Sequence, residues 1–124
     1  MALIEYFFDS YALIEIAKGG ENYRKYVSGA TIITTRLQLM ETYYILLHSF
    51  GKVTAEKYYN IFLRYVVDVE DDSIKTAMEF RLYQKKKRFS YVDCIGYTIA
   101  VQRKALFLTG DHAFESFPYV EYVK

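Results

Sequence analysis

The sequence has no tryptophan, one cysteine, one proline and six glycines among 124 residues. The lone Cys94 has no partner for an internal disulfide and no second thiol for a cysteine-based zinc site. That places the chain in a reducing compartment, the cytosol. Its two histidines, His48 and His112, stand apart without HExxH-type spacing, so each reads first as a surface or satisfied-core residue. No Walker loop or GxGxxG is present, which leaves nucleotide binding of those kinds unsupported. No run approaches the ~20 apolar residues of a membrane span, so no membrane partner is expected. The start, Met1-Ala2-Leu3-Ile4-Glu5, lacks the basic region of a secretory leader. Charge of one sign is also missing. Sixteen Lys and Arg offset fifteen Asp and Glu to a net +1, so a nucleic-acid partner must be argued from a local patch.

What is abundant is apolar and aromatic. Hydrophobic residues make up 52% and charged residues 25%, the balance of a packed domain rather than a disordered chain. At this length one domain, 1–124, is expected to bury roughly two thirds of the surface of its unfolded chain. Fourteen tyrosines and nine phenylalanines exceed what one core absorbs. Neighbours such as Tyr43-Tyr44 and Tyr58-Tyr59 diverge by about 100° on a helix, so some aromatic surface stays exposed and favours a protein partner.

In chain order, Tyr6-Phe7-Phe8 has the wholly apolar character of a strand buried on both faces, and it stops at Asp9. A helix over 10–18 follows, with Leu13, Ile14 and Ala17 on one face and Gly19-Gly20 as its stop. A short helix over 21–27 leads to the β-branched strand 30–34. Thr34-Thr35 then caps a long helix over 36–50, in which Leu37, Met40, Tyr44 and Leu47 are spaced as a core stripe. Further on come a helix over 54–65, a third strand at 66–69, and a helix capped by Asp71-Asp72-Ser73 that ends in Lys85-Lys86-Lys87-Arg88. Ser90 to Asp93 opens another helix, 105–109 is a strand ending near Asp111, 112–116 is a helical turn, and 119–123 is a last strand. Alternation of this kind predicts an α/β chain: a three-layer α/β/α sandwich around a mostly parallel sheet of four to five strands.

In such a sheet the carboxyl ends of strands and the starts of the helices after them share one edge. Asp9 and Asp111 end strands, Asp93 begins a helix and Glu41 lies in the second turn of the long one, so all four carboxylates are predicted on that edge. Converging acids repel, and a bound cation relieves them; oxygen-only ligands select Mg²⁺ or Mn²⁺, which suits phosphodiester cleavage. Each acid also has a structural reading. Ser90-x-x-Asp93 has capping-box spacing, and Asp9 and Asp111 can cap helices. Cys94 reads as a small core residue. The dense basic run Lys85, Lys86, Lys87 and Arg88 is either a helix C-terminus matched to its dipole or a backbone contact for RNA.

Phe8-Asp9-Ser10, Leu39-Met40-Glu41, Ser90-Tyr91-Val92-Asp93 and Leu108-Thr109-Gly110-Asp111-His112-Ala113-Phe114, in this order and spacing, resemble the PIN-domain ribonucleases, and among them the small VapC-type toxins of prokaryotic VapBC toxin–antitoxin systems. The resemblance spans essentially the whole chain. It implies metal-dependent endonucleolytic cleavage of RNA. Asp9 and Asp93 would be the principal metal ligands, with Glu41 and Asp111 as supporting ligands or water-orienting groups, and Ser10 and Thr109 as hydrogen-bonding helpers. It further implies a homodimer and a small antitoxin partner. Some members carry another acid shortly after the last Asp; here Ala113 and Phe114 follow His112, which puts a second metal in doubt. Two other readings stand beside the toxin: a non-catalytic module whose acidic pocket docks a basic partner, and an RNA-maturation nuclease without an antitoxin.

Overall fold

The computed structural model describes residues 4–28 and 31–124. Expectations for Met1 to Leu3 and for the strand start at Ala30 lie outside the described residues. The elements are β1 (Glu5–Phe8), α1 (Ser10–Ala17), α2 (Glu21–Arg24), β2 (Thr31–Ile33), α3 (Arg36–Phe50), α4 (Lys52–Phe62), α5 (Asp71–Tyr83), α6 (Tyr91–Gln102), β3 (Leu106–Thr109) and β4 (Val120–Tyr122). Short 3₁₀ turns at Leu63–Tyr65, Lys85–Lys87 and His112–Phe114 join them.

The four strands form one sheet in the order β2-β1-β3-β4, and every pairing is parallel. Phe7 aligns with Ile33 on one side and Phe107 on the other, which sets the register across the centre. Alternation along β1 divides the core. Phe7 and Phe107 face Ala77 of α5 and Cys94, Ile95, Ile99 and Ala100 of α6. Tyr6, Phe8 and Leu108 face Ala12 and Leu13 of α1, Tyr23 of α2, Leu39 of α3 and Phe62 of α4. Helices thus cover both faces, the three-layer α/β/α sandwich that the alternating pattern predicts. At Gly96 the packing leaves no room for a side chain: a Cβ there would stand 2.5 Å from Gln38 Nε2 and 2.8 Å from Phe7 Cε1.

Several expectations change. Residues 66–69 form no strand; Val66 makes one isolated bridge to Thr34, through Thr34 N to Tyr65 O and Val67 N to Thr34 O. The reason is length. β2 ends at Ile33 and Thr35 already caps α3, so Thr34 alone is left to pair. The inward face of α3 is not Met40, Tyr44 and Leu47, which are exposed, but Gln38, Leu39, Thr42 and Leu46. Polar groups tolerate that position because they are paired: Gln38 Nε2 donates to Val92 O at 3.0 Å and Thr42 Oγ1 to Gln38 O at 2.8 Å. Finally, α5 begins at Asp71 with Asp71 and Asp72 in its first turn rather than as caps, and it ends at Tyr83. Lys85–Lys87 therefore form a separate 3₁₀ turn, closed by Arg88 in the left-handed conformation (φ 58°).

Candidate active site

A chain leaving β1 goes to β2 on one side of it and returns to β3 on the other. Sheets of this kind open a crevice at the carboxyl ends of the two strands where the order reverses. Asp9 follows β1 directly, and Asp111 lies two residues beyond the end of β3. The start of α6 brings Asp93 to the same place. A cavity of about 420 Å³ lies here, lined by Asp9, Asp93 and Asp111 together with Ser10, Tyr11, Ile14, Gly110 and His112.

Asp9 is the most buried of the set at 2% exposure. Its Oδ2 accepts a 2.7 Å hydrogen bond from Thr109 Oγ1, but Oδ1 is buried with no partner. Asp93 is held by reciprocal bonds, its backbone N donating to Ser90 Oγ and its Oδ2 accepting from Ser90 N, both at 3.0 Å. This is the predicted capping box, with Asp in place of the usual Glu. It fixes where the Asp93 carboxylate stands and still leaves it on the cavity wall. Glu41, half-buried in α3, does not line the cavity; Ser10 Oγ donates to its Oε1 at 2.9 Å, which ties it to the start of α1. Asp111 Oδ1 accepts from Ala113 N at 3.0 Å and so caps the following 3₁₀ turn. Thr109 links the two strand ends, since its hydroxyl also accepts from Asp111 N.

Electrostatics bind the set together. Burial foremost, then the Asp93 charge and more weakly Glu41, push Asp9 up to about 7, against the bond from Thr109 and the nearby Ser10 N–H, which hold it down. Glu41 is raised by burial and by Asp93, against Ser10. Asp93 is raised by burial and by Asp111, against its Ser90 bonds. Keeping these carboxylates charged together near neutral pH costs free energy, which a bound cation would relieve. Among the described residues no three acid, histidine or cysteine side chains close a metal shell by themselves. Mg²⁺ does not need one: it keeps several waters and takes one or two carboxylates plus substrate phosphate oxygens. The unpaired Asp9 Oδ1 beside Asp93 fits that requirement.

Other predicted residues fall elsewhere. Lys85, Lys86, Lys87 and Arg88 are exposed and outside the cavity lining, although they lead into Ser90, and Lys87 Nζ stands 5.7 Å from the Phe117 ring. Cys94 is fully buried, its thiol pushed up to about 11 chiefly by burial, which suits a core residue. His112 is exposed as read, but it also lines the cavity and pairs with Glu115 at 3.3 Å. Sequence reasoning missed Tyr11, Ile14 and Gly110. Their only signal was adjacency, Tyr11 two residues after Asp9 and Gly110 one before Asp111.

An all-parallel α/β/α domain with a buried carboxylate at its switch point has its crevice where open α/β sheets bind ligands. The PIN domain family model matches residues 6–118, and the chain belongs to that family. It is similar in fold to Mycobacterium tuberculosis VapC20, described as a sarcin-ricin loop cleaving toxin, at 21% identity over 96% of this chain and 99% of that one, with a TM-score of 0.78. Rickettsia felis VapBC2, solved bound to a DNA fragment from its promoter, gives 0.75 at 18% identity, covering 97% and 98%. A Klebsiella pneumoniae toxin–antitoxin complex gives 0.73 at 14%, covering 94% and 95%. No curated protein matches the sequence.

Proposed function

We propose that the protein is a Mg²⁺- or Mn²⁺-dependent endoribonuclease that hydrolyses RNA phosphodiester bonds as the toxin of a toxin–antitoxin pair in the cytoplasm. The observation that carries this is Asp9: a buried carboxylate with one oxygen unpaired, facing two further acids in a cavity open to a polymer. Asp9 and Asp93 would hold the cation, with Glu41 and Asp111 at its margin. A divalent ion there supplies charge neutralisation, polarises the phosphate and makes a water more acidic. The remaining work falls to the chain. Thr109 orients Asp9 by occupying Oδ2, Ser90 pins Asp93, and Ser10 ties Glu41 to the start of α1, beside the crevice. Asp111, already committed through Oδ1 to Ala113, has one oxygen free for an attacking water.

The toxin reading draws support from family membership and from the VapBC likeness of the fold. An antitoxin and a second copy both need apolar surface, and α3 and α4 expose Met40 (55%), Tyr44 (67%) and Val53 (86%). The test is incubation with total cellular RNA in Mn²⁺ and in EDTA, beside the Asp93→Asn protein, with the new ends mapped. Discrete cuts in Mn²⁺ alone are expected; undiminished cutting by Asp93→Asn would sink the reading.

A further inference from the structure

The cavity's lining is not all acidic: Tyr11 and Ile14 of α1 contribute apolar surface to it. Expectation put Ile14 in the core with Leu13; instead Ala12 and Leu13 are buried and Ile14 is half-exposed toward the cavity. Helix geometry explains the division. At about 100° per residue, positions 10, 11, 14 and 18 fall within one arc about 100° wide, and 12 and 13 point away from it. A second, smaller hollow of about 170 Å³ continues along this arc, lined by Tyr11, Ile14, Glu15 and Lys18. From Ser10 to Lys18 the track is about 12 Å long. Glu15 borders this hollow, and its Oε2 lies 3.2 Å from where a Cβ on Gly20 would be, at the hollow beyond Gly20 that it also lines. The Tyr11 ring is held in place, because it occupies the space a Cβ on Gly110 would need and packs 6.2 Å from the Tyr23 ring.

We propose that this apolar track seats the nucleobase next to the scissile phosphate of a single-stranded RNA, with Tyr11 and Ile14 as its platform and Lys18 meeting a neighbouring phosphate. The inference rests on the nuclease reading and adds to it the residues that hold a base beside the cleaved linkage. Cations belong at one end of the track and phosphate at the other, with an aromatic ring between them. That sequence of groups matches a nucleotide, because every base has a π-face to stack and every linkage carries a charge. A duplex keeps its bases stacked on each other and offers none to Tyr11. Tyr11 is a positioning residue here; the acids do the chemistry.

The experiment measures anisotropy of a fluorescein-labelled single-stranded oligoribonucleotide in EDTA, so binding is read without turnover. Tyr11→Ala should weaken binding roughly ten- to a hundredfold, and Tyr11→Phe should stay near wild type. Lys18→Ala should lower the slope of log K against log salt by about 0.7. Oligonucleotides carrying one abasic site at each position in turn provide the matching deletion. One position should weaken the wild type and cost nothing further in Tyr11→Leu, which keeps an apolar filler if Tyr11→Ala fails to fold. Equal binding by folded Tyr11→Ala, or abasic and Tyr11→Leu losses that simply add at every position, would overturn the proposal. The nuclease reading fails separately, if the wild type cuts no RNA in Mn²⁺.

Discussion

At the carboxyl edge Asp9, Asp93 and Asp111 line a cavity of about 420 Å³; elsewhere Asp68, Glu70 and Asp72 line one of about 360 Å³ with Ser73, Gln102 and Arg103. Both hollows hold three acids. In the second all three are exposed, and its side chains satisfy one another: Ser73 Oγ donates to Gln102 Oε1 at 2.6 Å, and Gln102 Nε2 donates to Asp72 Oδ2 at 3.1 Å. Arg103 is already engaged by Glu5 at 3.1 Å. In the first, one carboxylate is buried beside another with an oxygen unpaired. The difference teaches that the number of acids in a hollow decides little. Burial without a complete set of partners is what leaves chemistry to be done.

Substitution at the two hollows breaks the comparison most sharply. Asp9→Asn or Asp93→Asn should lower RNA cleavage at least about a hundredfold, and Asp72→Asn should leave it within twofold, measured as initial rates in Mn²⁺. The next effect is on stability. Asp9 is raised from its unfolded value to about 7, so the folded state holds the proton more tightly. Stability from that group is full below about pH 4 and is lost as pH rises through 7; Glu41 and Asp93, also raised, act in the same direction. In EDTA, thermal unfolding should therefore show a protein a few kcal/mol less stable at pH 8 than the raised carboxylates allow at pH 5. Asp9→Asn should flatten that dependence, Asp72→Asn should not, and Mn²⁺ should restore the loss at pH 8. Smaller again, Thr109→Val leaves Asp9 Oδ2 without its bond and should cost about 1–3 kcal/mol by denaturant unfolding. Smallest is Ser90→Ala, which removes the α6 cap for about 1 kcal/mol and should raise the metal concentration needed for half-maximal cleavage.

The order of elements and the shared edge for Asp9, Asp93 and Asp111 were legible because strand-ending acids and a Ser-x-x-Asp box are local signals. The inward face of α3 was not. Its apolar residues lie all round the helix, so spacing offered several stripes, and buried Gln38 and Thr42 take inward positions only because Val92 O and Gln38 O accept their hydrogen bonds. Residues 66–69 read as a strand from composition alone, but a strand needs a neighbour with unpaired residues, and Thr34 supplied one. Tyr11 and Ile14 were unreadable as cavity residues for a related reason. Whether an apolar side chain on α1 faces the sheet or the crevice depends on how the helix is rotated, and that follows from Ala12 and Leu13 fitting beneath it.

By itself the chain determined what depends on neighbours in sequence: an α/β alternation, the β1 and β3 strands, the capping box of α6, and four acids at positions that a parallel sheet must bring to one edge. Tertiary structure decided what depends on depth. It buried Asp9 at 2% exposure, paired Oδ2 with Thr109 a hundred residues away, left Oδ1 unpaired and turned Glu41 toward Ser10 rather than into the cavity. Desolvation depends on the whole surrounding packing, and no local pattern of residues encodes it.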